Sequence, residues 1–68
     1  MKKIKVFIEK YNLEKEIDFN GNNIKELLNM LNLDPSRFLV LKNNEIVTEE
    51  DNINEGDYIK ILDSVSGG

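Results

Sequence analysis

Glu55-Gly56-Asp57-Tyr58-Ile59-Lys60-Ile61-Leu62 couples a turn to an apolar strand, and the rest of the chain has to be arranged around it. Asn54 to Asp57 carries turn chemistry, with Gly56 suited to a left-handed backbone. From Tyr58 to Leu62, Ile59 and Ile61 alternate with Lys60, which is the period of a strand. This is the last apolar alternation in the chain. A strand that closes a small domain in this way must find its neighbours among segments far upstream.

The first such segment is Ile4, Val6 and Ile8, alternating with Lys3, Lys5 and Phe7. Tyr11-Asn12 breaks it as a turn, and Leu13, Lys15, Ile17 and Phe19 then alternate with Glu14, Glu16 and Asp18. Two strands joined this closely predict an antiparallel hairpin. Asn20-Gly21-Asn22 ends it. Asn23 with Glu26 three residues later reads as a capping box. Ile24, Leu27, Leu28 and Leu31 recur at helical spacing, which predicts a helix over 24–31. Asn32 suits its C-terminus, and Pro35 prevents continuation.

Phe38-Leu39-Val40-Leu41-Lys42 predicts a third strand and Glu45-Ile46-Val47 a short partner. Asn43-Asn44 between them suits a tight turn with positive φ. Thr48 to Ile53 is polar and acidic, with room for one helical turn around Glu49-Glu50-Asp51. The order β-β-α-β-β-(turn)-β predicts an α+β fold with one helix across one face of a mixed sheet of four or five strands. The first and last strands are expected as central, parallel neighbours. Ile4, Val6, Ile8, Ile17, Ile24, Leu27, Leu28, Leu31, Val40, Ile53, Ile59 and Ile61 are the expected core.

Length and composition narrow the function. At 68 residues the chain is expected to form one domain, residues 1–68, with a flexible tail at 64–68. It contains no Cys and no His, so neither disulfides nor a soft-metal site can staple it. The same absence removes the thiol nucleophile and the usual near-neutral acid/base group, which speaks against an enzyme. No apolar run approaches the roughly 20 residues that span a bilayer. The charged start at Met1-Lys2-Lys3 lacks the apolar region of a signal peptide, so a cytoplasmic, unprocessed protein is expected.

Net charge is −4 and unevenly placed. Through Lys42 the chain carries +2, and from Asn43 onward −6, with Lys60 the one basic residue of the second part. That balance argues against nucleic acid and fits docking on a basic protein surface. It fits plain solubility equally well.

Beyond Leu62 the chain ends Asp63-Ser64-Val65-Ser66-Gly67-Gly68. The five residues from Ser64 to Gly68 can reach about 16 Å, at roughly 3.3 Å each. Two terminal glycines let the tip enter a narrow channel and bring a backbone carboxylate close to a partner. Val65 can anchor such a tail in a shallow pocket. Alone, Gly-Gly also fits a frayed end. Combined with this strand order, it points to chemistry at the Gly68 carboxylate.

Alternation also suggests a docking face. With Ile4, Val6 and Ile8 inward, Phe7 points outward, as do Leu41 opposite Val40 and Leu62 opposite Ile61. Phe7, Leu41 and Leu62 would form an exposed apolar cluster beside the tail, of the kind that marks partner surfaces. Scattered surface apolars are the plainer reading. Asp63 could pair with a basic partner residue or stand as an ordinary solvated carboxylate.

The chain resembles the ThiS/MoaD family of sulfur carriers, small β-grasp relatives of ubiquitin. The residues that carry the resemblance are Val40-Leu41-Lys42-Asn43-Asn44-Glu45-Ile46-Val47, Glu55 through Leu62, and Val65-Ser66-Gly67-Gly68. It implies that an E1-like (ubiquitin-activating-type) adenylating enzyme uses ATP and Mg to adenylate Gly68. A sulfur donor, a cysteine desulfurase or its persulfide, then converts the terminus to a thiocarboxylate. It implies thiazole synthase or the large subunit of molybdopterin synthase as recipient, no cofactor bound by the carrier, and no membrane or nucleic-acid partner. Val65, Ser66, Gly67 and Gly68 would enter the partner's active site, and Phe7, Leu41 and Leu62 resemble the apolar face that ubiquitin-like proteins present. Chain length resembles thiamin-type carriers, whereas Val-Ser-Gly-Gly is closer to molybdopterin-type carriers and archaeal-type modifiers. Two further readings stay open: a modifier conjugated through Gly68 to target lysines, and a β-grasp interaction domain without terminal chemistry.

Overall fold

Lys2–Ile8 forms strand β1 and pairs antiparallel with β2, Leu13–Phe19, in the computed structural model. The structure describes residues 1–63, so the expected tail 64–68, with Val65, Ser66, Gly67 and Gly68, lies outside the described residues. A short 3-10 turn, Glu9–Tyr11, joins the two strands and ends on Asn12 at φ 49°. Asn tolerates this left-handed backbone because its short polar side chain bonds locally.

The helix α1, Ile24–Met30, starts as the sequence predicts. The Asn23 side chain accepts from the Glu26 amide at 3.0 Å, and Glu26 Oε1 accepts in return from the Asn23 amide at 3.2 Å. The first two helical amides would otherwise lack partners. Ile24 donates to the Asp51 carbonyl at 3.0 Å and Lys25 to the Glu49 carbonyl at 2.9 Å. The Asp51 amide donates to the Thr48 carbonyl at 3.1 Å, so the segment with room for one helical turn forms a single hydrogen-bonded turn whose Glu49 and Asp51 carbonyls accept from α1.

At the other end α1 stops one residue before the expected Leu31, which serves as the C-cap. Asn32 at φ 61° reverses the chain. The Asn32 amide donates to Asn29 O at 3.1 Å and the Leu33 amide to Leu28 O at 2.8 Å, a Schellman pair. This closure tucks Leu33 under the helix, at 6% exposure, and leaves Leu31 only partly buried.

Phe38–Lys42 (β3), Glu45–Val47 (β4) and Tyr58–Asp63 (β5) complete one five-stranded sheet in the order β2-β1-β5-β3-β4. β5 pairs parallel with β1 and antiparallel with β3, so the first and last strands are the central parallel neighbours expected. Asn43 and Asn44, at φ 53° and 72°, turn β3 into β4, and Gly56 at φ 85° leads into β5. The buried core joins Ile4, Val6, Ile8, Val40, Ile59 and Ile61 of the sheet to Ile24, Leu27 and Leu28 of α1, with Ile53 beneath. Phe19, 2% exposed, takes the place expected of Ile17, which packs only at the margin. The end of β2 lies nearest the helix start, so the larger ring fills the space there.

Candidate functional site

The sheet face turned away from α1 is built by the alternate residues of each strand. Register places Glu14 of β2, Phe7 of β1, Lys60 of β5, Leu41 of β3 and Ile46 of β4 in one row across all five strands. Leu62 and Leu39 are paired in the next position along β5 and β3. On the other side of Lys60, Tyr58 pairs with Lys5.

All three predicted docking residues lie on this face, and each is half-buried. Phe7 and Leu41 flank Lys60 from either side, and Leu62 follows it along β5. The alternation did not single out Leu39, Ile46 or Lys60, which complete the patch. Ile46 is 70% exposed and Leu39 38%. A signal for Ile46 was present, since a two-residue Asn-Asn turn fixes it opposite Leu41. Leu39 becomes visible only once β3 is in register with β5.

Glu14 and Tyr58 bound the patch on one side. The Tyr58 phenol is held above its ordinary value, first by desolvation, then by its hydrogen bond to Glu14 and the charge of that carboxylate. At the far end of β5, Asp63 lines a shallow crevice of about 190 Å³ with Lys10, Asp34, Arg37 and Phe38. The Lys10 ammonium lies 6.0 Å from the Phe38 ring centre. Asp34 accepts from the Ser36 amide at 3.0 Å and from its hydroxyl at 2.9 Å, and these bonds hold its carboxyl below the usual range. Asp63 makes an interaction of its own, so it is not a free carboxylate. The crevice is the end of the described sheet from which the 64–68 segment departs in sequence.

Among the described residues no group of three or more carboxylates is placed to hold a metal ion, and no helix is long and apolar enough to cross a membrane. No polar or charged residue among them is fully buried. The arrangement is a scaffold with an apolar, lysine-centred face.

A five-stranded mixed sheet grasping one helix defines a β-grasp protein. A crystal structure of the thiamine biosynthesis protein ThiS from Geobacter metallireducens superposes with a TM-score of 0.67 over 97% of this chain and 99% of that one, at 21% identity. The ThiS family model matches residues 4–68. The chain belongs to the ThiS family. It is 34% identical over 55 residues to the sulfur carrier protein TtuB of Thermus thermophilus, covering 79% of this chain and 85% of that protein. An uncharacterized protein of Archaeoglobus fulgidus is also 34% identical over 55 residues, covering 81% of each chain.

Proposed function

We propose that this ThiS-family sulfur carrier works through the carboxylate of Gly68, and that it acts as a carrier, not a catalyst. A carboxylate is a poor electrophile until it gains a leaving group. A ubiquitin-activating-type enzyme supplies one by transferring AMP from ATP, with Mg, to the Gly68 carboxylate and releasing pyrophosphate. Persulfide sulfur from a donor such as a cysteine desulfurase displaces the AMP. A thiol then frees the terminal thiocarboxylate, a strong nucleophile, for delivery to thiazole synthase or to the large subunit of molybdopterin synthase. Carrier and partners meet in the cytoplasm.

The observation that carries this reading is that the family match runs through the terminal glycines, to residue 68. The described fold agrees with it in two ways. An apolar face of Phe7, Leu39, Leu41, Ile46 and Leu62 supplies a docking surface, and the tail 64–68 continues directly from β5, the strand at the centre of that face. In this reading Val65, Ser66, Gly67 and Gly68 enter the activating enzyme while Phe7, Leu41 and Leu62 hold the fold against it.

The test is an intact mass of the protein isolated from its own host. A species heavier by the exchange of one oxygen for sulfur, mapped to Gly68, is expected. If the protein carries only a free acid, and host lysines bear its C-terminal remnant instead, it is a modifier. A free acid with no such lysines, and activity that survives deletion of Gly67 and Gly68, would reject terminal chemistry altogether.

A further inference from the structure

Lys60 occupies the centre of the outer face, and its surroundings are apolar on three sides. Phe7 and Leu41 are its cross-strand neighbours, and Leu62 follows it along β5. The residue is half-buried on this face, and a lysine in such a setting lays its apolar stem along its neighbours and turns its ammonium to water. Three other lysines of the fold have something to hold. Lys2 donates to Gly21 O at 2.9 Å, Lys42 to Asn52 O at 2.8 Å, and Lys10 sits over two rings. Among the described residues, the Lys60 ammonium has no hydrogen bond, ion pair or ring contact. Glu14, in the same row, lies on the far side of Phe7 and is engaged by Tyr58.

A cation in this position changes what can cover the face. Docking would take the ammonium out of water, and a buried, unpaired charge is costly. A partner presenting only apolar side chains would leave it unpaired. A partner with a carboxylate at that point would satisfy it, and close charge pairs at interfaces can be net favourable. The local requirement is opposite in sign to the long-range field of the protein, whose net charge is −4.

We propose that Lys60 is the specificity-determining residue of the docking face. It pairs with a carboxylate of the adenylating partner, set inside an apolar footprint that lies within a basic surface. This rests on the docking role given to the same face above. Replacing Lys60 by an apolar residue should weaken docking, even though it makes the patch larger and more hydrophobic. An account based on apolar area alone gives the opposite sign.

The experiment titrates the carrier against the adenylating enzyme of the same organism and follows ATP–pyrophosphate exchange. Lys60→Met should raise Kd and the KM for carrier about tenfold, with kcat unchanged, as expected for lost uniform binding. Lys60→Arg should stay within about threefold of the parent protein, because it keeps the charge. A thermal melt confirms that each variant is folded. Lys60→Met binding as tightly as the parent, or more tightly, overturns the proposal. Phe7→Asp, measured alongside, separates the two levels. If Phe7→Asp loses affinity while Lys60→Met does not, the face docks the partner and the lysine merely keeps it soluble. If neither loses affinity, the docking face itself is wrong and the Lys60 inference falls with it.

Discussion

Leu39 and Leu62 stand opposite each other across the antiparallel pairing of β3 and β5, on the sheet face turned away from α1. Leu39 is 38% exposed, and Leu62 lies one residue from the end of β5, where the terminal segment begins in sequence. The pair therefore joins the apolar patch to the base of the tail. Any partner that holds the tail and covers the sheet has to cross this pair.

Leu39→Asp places a carboxylate at that crossing without touching the core. Stability should change by less than about 1 kcal/mol, because the side chain is solvent-facing in the free protein. Affinity for the adenylating enzyme should fall by about tenfold or more, as for a buried apolar anchor. Titration of the variant against the enzyme gives the answer, and an unchanged Kd removes Leu39 from the footprint.

Gly21→Ala tests the packing at the other edge. A Cβ there would lie 2.6 Å from Phe19 Cζ and 2.9 Å from Cε1, with Glu26 Cβ at 3.2 Å. The Phe19 ring is 2% exposed and cannot swing aside, so overpacking costs about 1–3 kcal/mol. Denaturant unfolding should show a lower midpoint with an unchanged m-value. Ala matching Gly in stability would mean that the ring is free to move.

Much of this was legible from the chain alone, for identifiable reasons. The capping box at Asn23 and Glu26, the left-handed Asn32, Asn43 and Gly56, and the inward Ile4, Val6, Ile8, Ile59 and Ile61 are local signals, read over a few residues. What escaped depends on distance. Alternation puts Ile17 and Phe19 on one side of β2 but does not say which of them the helix covers. Leu33 is buried by the 6→1 bond that closes α1, beyond the last residue of the helical period. The completed face needs the pairing of β3 with β5, a register that no short window contains. The chemistry proposed for Gly68 lies in a backbone carboxylate, to which only composition and position point.

Asn43 ties two of those turns together. Its Nδ2 donates to Asp57 Oδ1 at 3.0 Å, its Oδ1 accepts from the Tyr58 amide at 3.0 Å, and its own amide donates to Tyr58 O at 2.8 Å. Asn43→Gly keeps the positive φ and loses the two side-chain bonds, each worth about 0.5–1.5 kcal/mol. Asn43→Ala loses the same bonds and adds the left-handed penalty of roughly 1–2 kcal/mol. Ala should therefore be less stable than Gly by about that penalty. Equal unfolding midpoints would show that the turn relaxes instead of holding its φ.

Tyr58 provides a spectroscopic check on the edge of the apolar face. Its phenol titrates above the ordinary 10.0 because desolvation, then the hydrogen bond to Glu14, then the Glu14 charge all favour the neutral form. For an acid whose folded pKa is raised, the contribution to stability is fully present below pH 10 and is lost as pH rises through the folded value. Phenolate absorbance, measured in a Tyr11→Phe background, should show Tyr58 ionising later than a free tyrosine. Glu14→Gln should bring that titration partway back and no further, since desolvation remains. No movement on Glu14→Gln would mean that the carboxylate does not reach the phenol, and a full return would mean that desolvation contributes nothing.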